Sequence, residues 1–362
     1  MKFFLPLFFL LTSHYILPAQ DKDTSRIARM LPGNLILQPL RYLASDHLKG
    51  RHVGIPEIDT AACYIADQFK KAGAKAVGGA SGYFQIFNYK FNPLSPLFSD
   101  DPQIGVDMPW PRAALNGISL KNVVAFVQGT DPILRNQYIV LSSHYDHEGV
   151  ADTAVMEDDK RDSIYNGARD NATGTAAVID AARYFARYPP KRSILFICYT
   201  AEEEGLIGSQ YYAEHPLIPL DRTVYNLNVD NASYNTIHAV CLFGLDRTSK
   251  DSLIDKASNA YGLVLMDGPM DNLFSRSDNF SLAQKGIPAP TFSMGMTKWD
   301  NVIQYRYHRL SDEVDNMDLG YVVRFIRAYI LAAEYIANDP VQPTWAKDDP
   351  FEKNWQALFK KN

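Results

Sequence analysis

Six short apolar runs, rich in β-branched and aromatic residues, recur along the middle of the chain. Several are apolar at consecutive positions, which is typical of strands buried on both faces of a sheet. Segments with helical periodicity separate them, so we predict a three-layer α/β/α fold with a mostly parallel mixed β-sheet and helices on both faces. The predicted strands are 122–127, 138–143, 193–199, 224–229, 239–243 and 289–293.

Apolar residues at spacings of three and four, closed by Gly or Pro, predict the helices. We expect a solvated loop over the polar segment 148–169, with a substrate-facing rim as the alternative, and a loop excursion over the Pro-rich segment 91–120. The predicted helices are 26–51, about 59 to 73, 173–189 and 319–338.

The first twenty residues carry one Lys, a short and strongly apolar run and the small residue Ala19, and the charged sequence DKD follows. This pattern is too short for a membrane span and is typical of a cleaved export signal, with a buried N-terminal helix as the alternative. We assign 1–19 to a signal peptide, 20–340 to one domain and 341–362 to a tail packed on it. The mature protein is expected to be periplasmic or secreted, without stable membrane insertion.

Length, net charge and cysteine content limit the classes of function that the chain can have. A chain of 362 residues with 46% hydrophobic content can bury a large core. The net charge of −5 comes without a basic stripe, which argues against nucleic acid as a partner. Cys63, Cys198 and Cys241 are widely spaced, and we expect small buried core residues that form no Cys-rich metal site.

Metal-binding residue types follow several of the predicted strands. His144 and Asp230 come directly after a predicted strand, and the pair Glu202 and Glu203 follows the strand 193–199 after two residues. Ligands collect at the carboxyl ends of strands in open α/β sheets, so we expect these side chains at one edge of the sheet. A lone histidine in such a place is usually a core residue, but here the neighbouring strands also end in donors.

Several roles stay open on the residues alone. Asp170, in the small-residue turn GARDNATG, is either a helix N-cap or a carboxylate that bridges two ions. Glu202 and Glu203 are adjacent and cannot enter one site with the same geometry. One should therefore bind metal and the other take a proton from a metal-activated water, with a plain acidic helix start as the alternative.

Two residues that follow His144 complete this segment. Asp146 lies on the same side of an extended chain, and we expect its carboxylate to orient the His144 ring through a hydrogen bond. His147 is expected to be a solvated loop residue. With His308, the chain offers two imidazoles and three carboxylates, the donors that a pair of zinc ions prefers when no thiolate is present. The sequence therefore predicts a two-metal hydrolase.

The order and spacing of six segments resembles the M28 family of zinc aminopeptidases, from about residue 43 to the last helix. These segments are HYDH, GARDNATG, AEEEGLIGS, NVD, SDNFSLAQKGIP and YHRLSD. The resemblance implies a zinc exopeptidase-like fold, two zinc ions and a peptide substrate. It further implies that His144 and Asp230 hold one ion, Glu203 and His308 the other, and Asp170 both.

The resemblance also implies that Glu202 is the general base, that Tyr307 polarises the scissile carbonyl and that the peptide bond after Asp170 is cis. Asn279 and Asn231 depart from the family pattern, which usually has His and an apolar residue there. We predict an exported zinc aminopeptidase. The alternatives are a glutaminyl cyclase-like acyltransferase with one zinc and an inactive binding domain of the same fold.

Overall fold

The computed structural model describes residues 22–360 except 78, 90–115 and 158–159. The predicted signal peptide and most of the predicted loop excursion 91–120 therefore lie outside the described residues. None of the described helices has the length and apolar character that a bilayer crossing requires.

The chain alternates strands and helices over most of its described length. The strands are β1 (Lys75–Ala76), β2 (Phe84–Asn88), β3 (Ser119–Val127), β4 (Tyr138–His144), β5 (Gly149–Glu157), β6 (Lys160–Tyr165), β7 (Ser193–Tyr199), β8 (Thr223–Val229), β9 (Ala239–Phe243), β10 (Val264–Asp267) and β11 (Thr291–Met294). The α-helices are α1 (Lys22–Met30), α2 (Gly33–Leu43), α3 (Pro56–Ala72), α4 (Gly174–Arg187), α5 (Ile207–Glu214), α6 (Asp251–Asn259), α7 (Asn279–Gln284), α8 (Asn301–Gln304), α9 (Leu319–Asn338) and α10 (Glu352–Phe359).

Nine strands form one mixed sheet in the order β1-β3-β7-β4-β8-β11-β9-β10, and β2 also pairs with β3. The four central strands β7, β4, β8 and β11 run parallel. On the two sides β3 is antiparallel to β7, and β9 is antiparallel to β11. The predicted mixed sheet with flanking helices is therefore confirmed, and its parallel part is the centre.

Alternate residues of the central strands face two different cores, since successive side chains of a strand point to opposite faces. Ile139 and Leu141 of β4 lie in the larger core, which the helices α1–α4, α6 and α9 cover. Val140 lies in the smaller core, with α5, α7 and α10. The tail reaches this smaller core through Trp345 and Trp355, which are 4% and 8% exposed.

The expected first helix is interrupted. α1 ends at Met30, and α2 begins at Gly33. Pro32 lies between them and lacks the N–H that a continuous helix would need for its hydrogen bonds. After α2 the chain forms a 3₁₀ turn over Asp46–Arg51, in which Gly50 has a φ of 67°. The prediction of one helix over 26–51 is thus wrong at the break between Met30 and Gly33 and again after Leu43.

The segment 148–169 is not an irregular loop, although part of it is exposed as expected. It contains an antiparallel hairpin, β5 and β6, that packs on the Asp46–Arg51 turn. Glycine permits this close contact, since a Cβ added to Gly50 would lie 2.3 Å from the carbonyl oxygen of Gly149. A second correction concerns Cys63, which is exposed, whereas Cys198 and Cys241 are buried as expected.

Candidate metal centre

The predicted donors meet at the carboxyl ends of three adjacent parallel strands. His144 is the last residue of β4, Glu202 and Glu203 lie in the turn after β7, and Asp230 follows β8. The strand order places β4 between β7 and β8, so the chain brings these segments together from distant positions. His308 joins them from the turn that precedes α9, in a left-handed conformation with a φ of 53°.

A first set of donors surrounds the buried ring of His144. Its Nε2 lies 3.2 Å from Oδ1 of Asp170 and 3.3 Å from Oδ1 of Asp230. His144 is 1% exposed and Asp170 is 4% exposed, so water reaches these atoms poorly. One nitrogen and two carboxylate oxygens thus converge on one point.

A second set lies beside it. Nε2 of His308 is 3.1 Å from Oδ2 of Asp170 and 3.2 Å from Oε2 of Glu203. Asp170 therefore contributes one oxygen to each set. This is the arrangement of a carboxylate that bridges two ions.

The donor sets fit metal ions. In a tetrahedral zinc site with bonds of 2.0–2.1 Å, ligand atoms are about 3.3 Å apart, and the measured separations are 3.1–3.3 Å. Burial lowers the pKa of His144, but Asp230 and Glu202 raise it well above its usual value. Burial also lowers the pKa of His308, and Glu203 likewise raises it well above the usual range. The surroundings attract positive charge, and their oxygen and nitrogen atoms suit zinc among other divalent ions.

The backbone around Asp170 is fixed from several sides. Gly167 has a φ of 55°, and a Cβ added to it would lie 2.3 Å from the carbonyl oxygen of Asp170. The Asp170 N–H donates to Oδ2 of Asp312 over 3.1 Å, and Arg169 pairs with the same carboxylate at 2.8 Å. The peptide bond between Asp170 and Asn171 is cis, as the resemblance implied. Asp170 is therefore held within a tight turn and is not a simple N-cap.

Glu202 and Glu203 have different surroundings. Glu202 lies 4.0 Å from Nε2 of His144, and burial, with the charges of Asp230 and Glu203 added, raises its pKa well above the usual value despite His144. Burial also raises the pKa of Glu203, but His308 and His147 outweigh it and hold that pKa well below the usual value. Glu203 therefore lies in a donor set as a carboxylate, whereas Glu202 has the environment of a group that accepts a proton.

Asp146 does not make the expected hydrogen bond. Its Oδ1 lies 3.7 Å from Nδ1 of His144, which is beyond hydrogen-bond distance. Its two oxygens instead accept from the backbone N–H groups of Glu202 and Glu203, both over 3.2 Å. The backbone N–H groups of the turn after β7 point inward and capture the carboxylate, so Asp146 positions the two glutamates.

His147 and Glu148 both contact residues of the second donor set, which the sequence did not predict. His147 is 1% exposed, not solvated, and its Nδ1 lies 2.9 Å from Oε1 of Glu203. Glu148 lies 2.9 Å from Nδ1 of His308 through its Oε1. Their position directly after a strand-end ligand was the available signal, but side-chain direction in a turn depends on tertiary packing.

Arg51 is a further buried residue next to the site. It is 0% exposed, and its guanidinium donates to the carbonyl oxygens of Leu43, Tyr145, Asn166 and Gly167. Burial lowers its pKa to about 10, against the opposing charges of nearby carboxylates. Arg51 thus ties the end of α2 to the turns that carry His144 and Asp170.

The remaining predicted residues occupy distinct places. The ring of Tyr307 stacks on His308 at 3.9 Å and meets Trp299 edge-on at 5.2 Å. Asn279 donates to two backbone carbonyls and is fully buried, so it braces its own turn. Asn231 accepts from the N–H of Met294 and donates to Oδ1 of Asn171, which links β11 to the Asp170 turn. Both departures from the family pattern therefore have internal hydrogen-bond partners.

Residues 122–333 match the model of peptidase family M28, which is more than half of the chain. The chain belongs to peptidase family M28. Among relatives, a probable zinc metalloprotease of Pyrenophora teres f. teres is 37% identical over 98 residues, 27% of this M28 chain and 18% of the relative. Aminopeptidase YwaD of Bacillus subtilis is 27% identical over 154 residues, 42% of this chain and 33% of the relative. The matches thus span no more than a third of either relative.

Solved structures share the fold of this M28 chain at low identity. An aminopeptidase from Aneurinibacillus sp. strain AM-1 has a TM-score of 0.61 and 17% identity, with 90% of this chain and 98% of that chain covered. A glutaminyl cyclase from Porphyromonas gingivalis has a TM-score of 0.60 and 14% identity, with 84% and 99% covered. At these identities the likeness shows the fold alone.

Proposed function

We propose that this M28 chain is an exported zinc-dependent aminopeptidase that hydrolyses the N-terminal residue of peptides. The observation that carries the proposal is the sharing of Asp170 between two sets of nitrogen and oxygen donors. Two ions about 3.5–4 Å apart, bridged by a carboxylate, are typical of two-metal hydrolases. The names of relatives and of structural neighbours, several of which are aminopeptidases, support release of the N-terminal residue.

The two donor sets support a proposed assignment of metal ligands. His144 and Asp230 would hold one zinc ion, Glu203 and His308 the other, and Asp170 both. Zinc bound there would act as a Lewis acid on the scissile carbonyl and lower the pKa of a water molecule. The side chains of His144 and Asp170 are buried, which limits their contact with bulk water and strengthens each electrostatic contact.

Glu202 serves as the general base in this proposal. It stands outside the two donor sets, and its raised pKa fits a carboxylate that takes a proton from the attacking water and returns it to the leaving amine. Asp146 fixes the backbone of Glu202 and so aims its side chain. Tyr307 lies against His308, where its hydroxyl can donate to the carbonyl oxygen of the substrate.

The test uses the full-length chain expressed in a bacterial host with its own N-terminus. We expect a periplasmic or secreted product that begins after residue 19, contains two zinc ions per chain by elemental analysis and cleaves aminoacyl p-nitroanilides. The matched control is each substrate with an acetylated N-terminus, which an aminopeptidase should not cleave.

Three results would contradict the proposal in separable ways. Cyclisation of a glutaminyl peptide without hydrolysis would favour the glutaminyl cyclase-like alternative. Equal cleavage of free and acetylated substrates would exclude an aminopeptidase. Full activity in protein shown by elemental analysis to be free of metal would reject the two-metal centre.

A further inference from the structure

The two donor sets differ in the residues that contact their ligands on the side facing away from the set. Glu203 has a second contact, because its Oε1 meets Nδ1 of His147 at 2.9 Å while Oε2 faces the donor set. His308 also has a second contact, because its Nδ1 meets Oε1 of Glu148 at 2.9 Å. Each protein ligand that belongs only to the second set is therefore held at its far side.

The Glu148 contact fixes the protonation pattern of His308. A metal-bound imidazole is neutral and carries one hydrogen, and a carboxylate at 2.9 Å places that hydrogen on Nδ1. Nε2 then directs a lone pair at the point where Oδ2 of Asp170 and Oε2 of Glu203 converge. Carboxylate partners of this kind orient metal-bound histidines and raise their basicity.

The first set lacks comparable support. Nδ1 of His144 has no hydrogen-bond partner among the residues that the structure describes, and Asp146 is 3.7 Å away. Burial is not the cause of the difference, because His144 is more deeply buried than His308. The asymmetry comes from the two consecutive residues His147 and Glu148.

The backbone that carries His147 and Glu148 is itself fixed. The N–H of His147 donates to the carbonyl oxygen of Arg51 over 3.4 Å. Gly149, with a φ of 82°, follows at once, and a Cβ added to it would lie 2.7 Å from Cβ of His52. The turn Asp46–Arg51 therefore packs against the start of the β5–β6 hairpin, and this packing holds the side chains of His147 and Glu148 in place.

We propose that His147 and Glu148 are positioning residues that preorganise Glu203 and His308, so that their loss weakens one metal ion and spares the other. The inference rests on the proposed two-metal function. Substitution of such partners typically costs about 10–100-fold in metal affinity. The expected signature is therefore a selective loss at one of two sites.

The test compares four variants of the full mature protein. His147→Leu and Glu148→Leu remove the contacts, whereas His147→Asn keeps an N–H near the position of Nδ1 and Glu148→Gln keeps an acceptor oxygen. Asp152→Asn, on the exposed part of the same hairpin, is the matched control. Zinc binding is measured by dialysis against zinc buffers of defined free concentration, and the melting temperature of each metal-free protein is measured beside it.

We expect one of the two zinc affinities to fall about 10–100-fold in both leucine variants, with recovery of most of it in His147→Asn and Glu148→Gln. Asp152→Asn should bind zinc like the wild type. Unchanged affinities, an equal loss at both sites, or rescue variants no better than the leucine variants would overturn the positioning role. A wild-type protein that binds fewer than two zinc ions would instead contradict the proposed function.

Discussion

Two clusters of charged side chains in this protein differ in how their groups are paired. In the cluster that joins α1, α4 and α9, Arg26 donates to the Tyr184 hydroxyl over 2.6 Å and to Glu334 over 2.5 Å, and Tyr184 donates to the same carboxylate over 2.9 Å. In the candidate metal centre, by contrast, carboxylate oxygens of Asp170 face imidazole nitrogens in two donor sets.

The contrast distinguishes a cluster that serves the stability of the fold from one that serves binding. Buried polar groups cost free energy unless they are paired, and the Arg26 cluster pairs each of its groups internally. The metal centre concentrates carboxylates that only positive charge can balance. A closed cluster, in which the groups pair with each other, stabilises the fold by itself, whereas an open cluster, in which they do not, indicates a ligand. Substitutions in the first should change stability, and substitutions in the second should change metal binding or activity.

The largest expected effect is on catalysis. Glu202→Gln should lower kcat by about 10²–10⁴-fold, the usual range for loss of a general base, while both metal ions stay bound. The measurements are kcat on an aminoacyl p-nitroanilide and metal content by elemental analysis. Glu214→Gln, an exposed glutamate at the end of α5, is the matched control. Normal turnover in Glu202→Gln, or loss of an ion from it, would show that the role is misassigned.

The neighbouring substitution should act on the metal instead. Glu203→Gln replaces a carboxylate ligand by an amide, so one ion should be lost at moderate zinc concentrations. Wild-type protein gains about 2.7 kcal/mol per ion at a free metal concentration 100 times Kd, and the variant should lose much of that gain at one site. Thermal unfolding with and without a chelator measures it. A variant that keeps two ions and the full metal-dependent stabilisation would contradict the ligand assignment.

A smaller effect is expected in the closed cluster, and it should not depend on metal. Arg26→Met should lower the free energy of unfolding by about 1–2 kcal/mol, because removal of the guanidinium leaves Glu334 and Tyr184 incompletely paired. The cost stays modest because the guanidinium is partly exposed. Arg29→Met on the exposed side of the same helix is the control. Denaturant unfolding of the metal-free proteins gives the values. A change in zinc affinity in Arg26→Met would contradict the view that this cluster affects stability and not metal binding.

The last prediction concerns the pH dependence of stability at Asp180, whose surroundings lie between those of the two clusters. Its Oδ1 accepts from Arg183 over 2.8 Å, and burial raises the pKa of this carboxyl to about 8. Between pH 3.8 and about 8 the folded protein therefore holds a proton that the unfolded chain releases, so stability should fall as pH rises through this range.

The substitution Asp180→Asn tests this pH dependence, because it removes the one carboxyl group whose proton is held to cause it. The variant should show a shallower decline in unfolding free energy across the same pH range, with chelator present to exclude metal effects. Denaturant unfolding at both ends of the range supplies the comparison. Parallel declines in the variant and the wild type would mean that Asp180 is ionised in the folded protein throughout.

The sequence predicted much of this architecture because strand periodicity and strand-end position are local properties. His144, Glu203 and Asp230 could be placed at one edge since parallel strands bring their carboxyl ends together. The contacts of His147 and Glu148 could not be predicted, because they depend on how the hairpin presses on the Asp46–Arg51 turn. The hydrogen bonds of Asp146 were missed because backbone N–H direction after a strand is set by the turn.

The guanidinium of Arg51 has a consequence for the kinetics of metal uptake. It joins three chain segments through the backbone carbonyls of Leu43, Tyr145, Asn166 and Gly167, and these bonds need no ion to form. The loops that carry His144 and Asp170 are therefore ordered before metal arrives, and little conformational entropy is lost on binding. Loading of the metal-free protein should be a rapid, single-step association, limited by ion encounter and exchange of water and not by refolding of the loops.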